Sequence, residues 1–104
     1  MERAVDTSVM DAAIEKANQD YQKKPSDAAA KKALAEAYFE RATALTEASQ
    51  YRSALGDYRR GLKLDPNNTE AKEMQDQIIS IFQSLNRAPP KEGAEPTPLP
   101  FKKA

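Results

Sequence analysis

Apolar side chains recur through the first 86 residues at intervals of three and four, the spacing of one face of an α-helix. Met10, Ile14, Ala17 and Tyr21 make such a face and predict a first helix over 8–23, with Ser8 and Asp11 in the arrangement of a capping box that uses aspartate for the usual glutamate. Pro25-Ser26-Asp27 breaks the pattern, and Ser26 or Asp27 stands where a side-chain oxygen accepts the first free amide hydrogens of a second helix over 27–48. That helix carries Leu34, Tyr38, Ala42, Leu45 and Ala48 on one side; its opening, Ala28-Ala29-Ala30-Lys31-Lys32-Ala33, has high helix propensity and little to bury. Ser49-Gln50 links it to a third helix over 51–64, faced by Tyr51, Ala54, Leu55, Tyr58 and Leu62 and stopped by Asp65-Pro66-Asn67-Asn68. A fourth helix over 69–86, capped by Asn68 or Thr69, directs Met74, Ile78, Ile81, Phe82 and Leu85 inward. Ile79 widens its stripe, which implies contact on two sides or an exposed apolar patch. The expected class is therefore all-α, with antiparallel helical hairpins and short links.

From Ala88 the pattern stops. Five prolines, Pro89, Pro90, Pro96, Pro98 and Pro100, crowd a segment too poor in apolar residues to fold alone. The expected organisation is a helical domain over 1–87 and a flexible, extended tail over 88–104. Pro96-Thr97-Pro98-Leu99-Pro100-Phe101 favours polyproline II and ends in two apolar groups, the form of a docking peptide. Two readings stay open: a linker or free terminus, or a segment that docks on its own helices or on another protein. Folding back, Leu99 and Phe101 would cover Ile78, Ile79 and Phe82.

Composition narrows the chemistry. A length of 104 residues supports one small domain, and 31% charged against 39% hydrophobic residues means a core built from thin amphipathic elements. The chain has no histidine and no cysteine, which removes imidazole and thiolate nucleophiles, the usual zinc ligands and disulfides. Glu70, Glu73 and Asp76 share a helix surface, but no companion base or phosphate loop accompanies them. No enzyme, metal or cofactor is expected. Sixteen basic residues balance sixteen acidic ones, so no overall field gathers nucleic acid or an anionic membrane. Arg52, Arg59 and Lys63, with Arg60 beside them, form one basic stripe; no aromatic residues interleave with it, and pairing with Asp57 and Asp65 is its plain explanation. No run reaches the roughly 18 apolar residues of a bilayer span, and the start lacks a basic and apolar leader, so a cytoplasmic location is expected.

Residues 35–68 resemble one complete tetratricopeptide repeat, a helical hairpin of 34 residues. The resemblance rests on Tyr38 at an aromatic position, Ala42 and Ala54 where two helices approach closely, Tyr58 where an aromatic fills the gap to the next unit, and Pro66 at the turn between units. Arg41 stands where leucine is commoner, Leu45 where an aromatic is, and Gly61 where alanine usually favours the helix, at a cost of about 1 kcal/mol. Residues 11–15 followed by Pro25-Ser26-Asp27 resemble the closing helix of a preceding unit, with Ala13 at the close-packing position. Pro25 and Pro66 lie one repeat plus about two helical turns apart, so the second helix is lengthened with its apolar face kept on one side. Ala71 fits the opening of a further unit, and the fourth helix then acts as a cap.

The resemblance implies a non-catalytic interaction module that binds a peptide segment of another protein on its concave face. Carried over by position, that face includes Glu36, Phe39, Thr43 and Glu47 from the second helix and Glu70, Glu73, Gln77 and Ser80 from the fourth. Phe39, Thr43 and Met74 occupy places where relatives that grip a C-terminal carboxylate present cationic and amide donors, so a basic or mixed apolar peptide is the expected ligand. The plainer reading makes the same glutamates a solvated helix face. About three repeats are normally needed for independent stability. A self-associating homo-oligomer or the terminal piece of a larger array is therefore the alternative.

Overall fold

The computed structural model describes residues 1–102 and contains four α-helices in chain order: α1 Ser8–Lys23, α2 Ala28–Glu47, α3 Tyr51–Leu64 and α4 Thr69–Ser84. Among the described residues there is no strand. Each helix packs on its neighbour in sequence, α1 on α2, α2 on α3 and α3 on α4. The molecule measures 41 × 37 × 21 Å. Its thinnest dimension is thus about two helix diameters, the thickness of paired helical layers.

The two isolated prolines build the same turn twice. At Lys24-Pro25-Ser26-Asp27 the Asp27 N–H donates to the Lys24 carbonyl at 3.0 Å, and at Asp65-Pro66-Asn67-Asn68 the Asn68 N–H donates to the Asp65 carbonyl at 3.4 Å. Lys24 and Asp65 have nearly equal dihedrals, −137°/71° and −137°/75°. The last residue of each turn then caps the next helix: Asp27 Oδ1 accepts from Ala29 N–H at 2.9 Å and Asn68 Oδ1 from Ala71 N–H at 3.0 Å. Proline at the second turn position fixes φ, and the short polar residue at the fourth satisfies an orphan donor.

The other two helix ends also share one device. Ser49 (φ 60°) and Asn86 (φ 54°) adopt left-handed backbone just past α2 and α4. Gln50 N–H reaches Leu45 O and Ser49 N–H reaches Thr46 O after α2; Arg87 N–H reaches Phe82 O and Asn86 N–H reaches Gln83 O after α4. Both are Schellman endings built without glycine. The expected ends at 48 and 86 therefore fall at 47 and 84, and Leu85, expected inward, is 60% exposed at the cap. The expected Ser8–Asp11 box does not form: Thr7 is the N-cap, Asp6 Oδ1 takes the Ser8 N–H at 3.0 Å, and Asp11 turns to Arg41 on α2.

Two hydrophobic clusters fill the slab. The larger joins Ala42, Leu45, Ala54, Leu55, Tyr58, Ala71, Ile78 and Phe82 from α2, α3 and α4. Ile14, Leu34 and Ala37 form the smaller, with Tyr21, Tyr38 and Leu64 packed against it. Alanine at 42 and 54, both fully buried, lets α2 and α3 approach closely. Tyr38, which the repeat resemblance sets with Ala42, Ala54 and Tyr58 in the α2–α3 contact, instead packs into the smaller cluster toward α1, where Ile14, Leu34 and Ala37 are its neighbours.

Both ends of the described chain fold onto this frame. Arg3 N–H donates to the Ala48 carbonyl at 2.8 Å and Arg3 Nη2 to the Glu47 carbonyl at 2.6 Å, so the N-terminal arm satisfies carbonyls that the end of α2 leaves free. Beyond Ala88 the described tail has no helix or strand and turns once at Lys91–Ala94, where the Ala94 N–H donates to the Lys91 carbonyl at 2.9 Å, and it lies along α3 rather than over Ile78, Ile79 and Phe82. Polar groups decide this placement: its hydrogen bonds and ion pairs go to Gln50, Ser53, Arg59 and Lys63.

Candidate functional site

A groove of about 260 Å³ opens between α2 and α4. Its floor is aromatic: Phe39 and Tyr58 stack with ring centroids 6.3 Å apart and an interplanar angle of 29°. Phe39 can lie there because α3 has no side chain at Gly61, where an added Cβ would stand 2.3 Å from the Phe39 ring. Ala71 and Met74 of α4 close the opposite wall. Thr43 Oγ1 donates to the Phe39 carbonyl at 3.0 Å and lies 3.5 Å from the Tyr58 hydroxyl. Around this apolar floor stand three exposed carboxylates, Glu36, Glu40 and Glu70, with Asn68, and no cationic side chain lines the groove. The site offers a place for one apolar side chain inside a ring of negative charge.

Glu36, Phe39 and Thr43 thus come together as expected for one concave surface. Glu47 does not join them: it lies at the far end of α2, where the N-terminal arm covers its carbonyl. Glu73, Gln77 and Ser80 are exposed on α4 outside the groove lining, and Glu70 lines it. The surface is shorter than expected, one hairpin opening rather than a continuous trough.

Next to the groove, α2 and α3 are tied by a buried charge network. Asp57, 1% exposed, accepts from Arg41 Nε at 2.7 Å and Arg41 Nη2 at 2.9 Å in a bidentate pair, and from Arg60 Nη1 at 2.8 Å. Arg41 Nη1 also donates to Asp11 Oδ1 at 3.0 Å, which draws α1 in. The Asp57 hydrogen bond raises the Arg41 pKa, against the opposing effect of burial. Asp57 is therefore the partner of Arg41 and Arg60, and the pairing expected between it and Arg59 is absent.

Arg59 is occupied by the tail. Its Nη1 donates to Glu95 Oε2 and to the Pro90 carbonyl, both at 2.7 Å, and Lys63 pairs with Glu92. Ser53 Oγ donates to the Pro96 carbonyl at 2.9 Å. Gln50, buried to 2% exposure, joins the two ends: its Nε2 donates to the Arg3 carbonyl at 2.6 Å while its Oε1 accepts the Leu99 N–H at 2.8 Å.

No protein-family model matches the chain, and neither does any curated protein or solved structure. Function must be read from the geometry. Among the described residues, no three acidic side chains gather as a metal-binding group, and Glu70, Glu73 and Asp76 are all exposed on α4. No described helix is long and apolar enough to cross a membrane.

Sequence reasoning missed Gln50, Glu95 and the burial of Asp57 against Arg41. A signal existed for one of them: Arg41, a charge within an apolar face where leucine is commoner, needs a buried partner. Gln50 looked like a linker residue. Only the docked tail gives Glu95 its role.

Proposed function

We propose that the chain is a cytoplasmic, non-catalytic interaction module of tetratricopeptide-like build, whose α2/α4 groove receives a peptide segment of another protein. The observation that carries this reading is the stacked Phe39–Tyr58 floor ringed by Glu36, Glu40 and Glu70. An apolar side chain on that floor loses water-exposed surface, worth about 25 cal/mol per Å² buried, and basic neighbours in the peptide meet the glutamates. The segment that fits is short, with one leucine-sized or aromatic residue flanked by lysine or arginine. Two turns of the same build, at Pro25 and Pro66, support the repeat-like reading: they set successive helices by one rule, and α2 and α4, each starting from such a turn, face the same opening.

Calorimetric titration tests the reading with two nine-residue peptides that share a central leucine, one flanked by lysines and one by glutamates. The basic peptide is expected to bind, the acidic one to fail, and Phe39→Ala to weaken binding at least tenfold. Equal affinity for both peptides, or binding indifferent to Phe39→Ala, would remove the groove from the account.

A further inference from the structure

One face of α3 is occupied by the chain's own tail. Residues 90–99 lie along α3 with a turn at Lys91–Ala94, where the Ala94 N–H donates to the Lys91 carbonyl, and they are held by main-chain hydrogen bonds, the Glu92–Lys63 pair and one deep carboxylate. The side chain of Glu95 is 3% exposed and Arg59 is 19% exposed, whereas Leu99 remains 40% exposed on the docked segment. The helix is shaped for this contact. Gly56 leaves a bare strip of backbone, and a Cβ there would stand 2.9 Å from Glu95 Cβ. Ser53 and Arg59 on either side supply donors for carbonyls at Pro96 and Pro90, and Gln50 supplies the acceptor for one N–H.

The occupant matches that donor set. Pro96, Pro98 and Pro100 have no N–H, so in Glu95-Pro96-Thr97-Pro98-Leu99-Pro100 only Thr97 and Leu99 retain main-chain donors beyond Glu95, and Gln50 takes the second. Prolines at every second residue also hold the segment extended before it docks, which lowers the entropy lost on binding. We propose that this α3 strip is a receptor for extended acidic segments of the form Glu-Pro-x-Pro in other proteins, with the chain's own tail as a built-in competitor.

A tethered segment acts at an effective concentration of about millimolar, so a free peptide of equal affinity competes poorly until the tail lets go. This surface is separate from the α2/α4 groove, and either can fail alone.

The test uses the full chain and a fluorescent peptide with the sequence of residues 89–102. Glu95→Gln in the protein releases the tail while the peptide keeps its glutamate. Anisotropy is expected to show binding to the Glu95→Gln protein at least tenfold tighter than to the unchanged protein, weakened by salt and lost when Arg59→Glu is added. A peptide carrying the glutamate-to-glutamine change itself should bind at least tenfold more weakly. Should Glu95→Gln lose helical content by circular dichroism, Leu99→Pro, which removes the N–H given to Gln50 at a part-exposed position, serves as the release variant. Equal binding to intact and released proteins, or binding indifferent to Arg59→Glu, would overturn the proposal. A dimer that forms only with an intact tail, beside a released protein that takes no peptide, would assign the strip to a second copy and overturn it too.

Discussion

Gln50 ties both ends of the described chain to the helices. Its amide sits at the end of α2, where one nitrogen holds the N-terminal arm and one oxygen holds the tail. Replacing it by leucine leaves the Arg3 carbonyl and the Leu99 N–H without these partners, a loss of about 1–3 kcal/mol. Urea denaturation of Gln50→Leu should show it, with both chain ends cut faster by protease; an unchanged midpoint would mean that solvent replaces the amide at no cost. The Arg41–Asp57 pair makes a sharper case. Asp57→Ala leaves a largely buried guanidinium with only the exposed Asp11 as carboxylate partner and should cost about 3 kcal/mol, whereas Arg41→Leu combined with Asp57→Ala should recover most of it, since a buried pair seldom outperforms apolar packing. A double variant as unstable as the single one would show that Asp57 also supports α3 through Arg60. Of these residues only Arg41 was conspicuous in the sequence, as a charge on an apolar face. A glutamine in a link and an aspartate one turn past an alanine carry no pattern that marks them as buried.

The helices themselves were legible, because their signals are local. Periodicity placed all four, and the two Pro-x-Asp and Pro-x-Asn turns placed the starts of α2 and α4 within a residue. Helix ends were less legible: Ser49 and Asn86 take left-handed backbone without the glycine that usually announces it. Ser49→Gly should therefore stabilise the protein by about 1 kcal/mol, seen as a higher urea midpoint, because serine pays for that conformation and glycine does not. Gly61 has the opposite character. On propensity, Gly61→Ala would gain about 1 kcal/mol, yet the Phe39 ring fills the space a methyl group needs. The expected result is destabilisation by about 1–3 kcal/mol, reversed to a gain when Phe39→Ala is made first. A gain in both backgrounds would show that the ring moves aside freely and that the groove floor is not held by Gly61. Softness at the end of α3, which helix propensity alone suggests, thus gives way to a packing role that only tertiary contact reveals.

Across the whole molecule, the tail is where short-range reasoning reached least far. Prolines foretold an extended segment, but its destination depends on one carboxylate, one arginine and one bare glycine brought together from residues 56, 59 and 95. Burial alone would raise the Glu95 pKa; hydrogen bonds from Arg59 and from backbone N–H groups, Gly93 among them, outweigh it and hold the carboxyl below its usual value. A group whose pKa is lowered by docking stabilises the docked state fully above the undocked value and loses that effect as the pH falls through the docked one. Tail docking should therefore be complete above about pH 5 and weaken as the pH drops below the ordinary glutamate value of about 4.3. Amide exchange at Leu99 measures this directly. A lower protection factor at pH 3 than at pH 6, with no such difference in Glu95→Gln, is the expected outcome, and an amide equally protected at pH 3 and pH 6 would contradict it.

The α2/α4 groove needs no acid to open, and its occupancy is the central claim. Amide chemical-shift mapping with the lysine-flanked leucine peptide tests it most directly. The account predicts shifts concentrated at Phe39, Thr43, Ala71 and Met74, with the tail and α3 unmoved; shifts confined to α3, or none at peptide concentrations up to about millimolar where even weak complexes form, would contradict it.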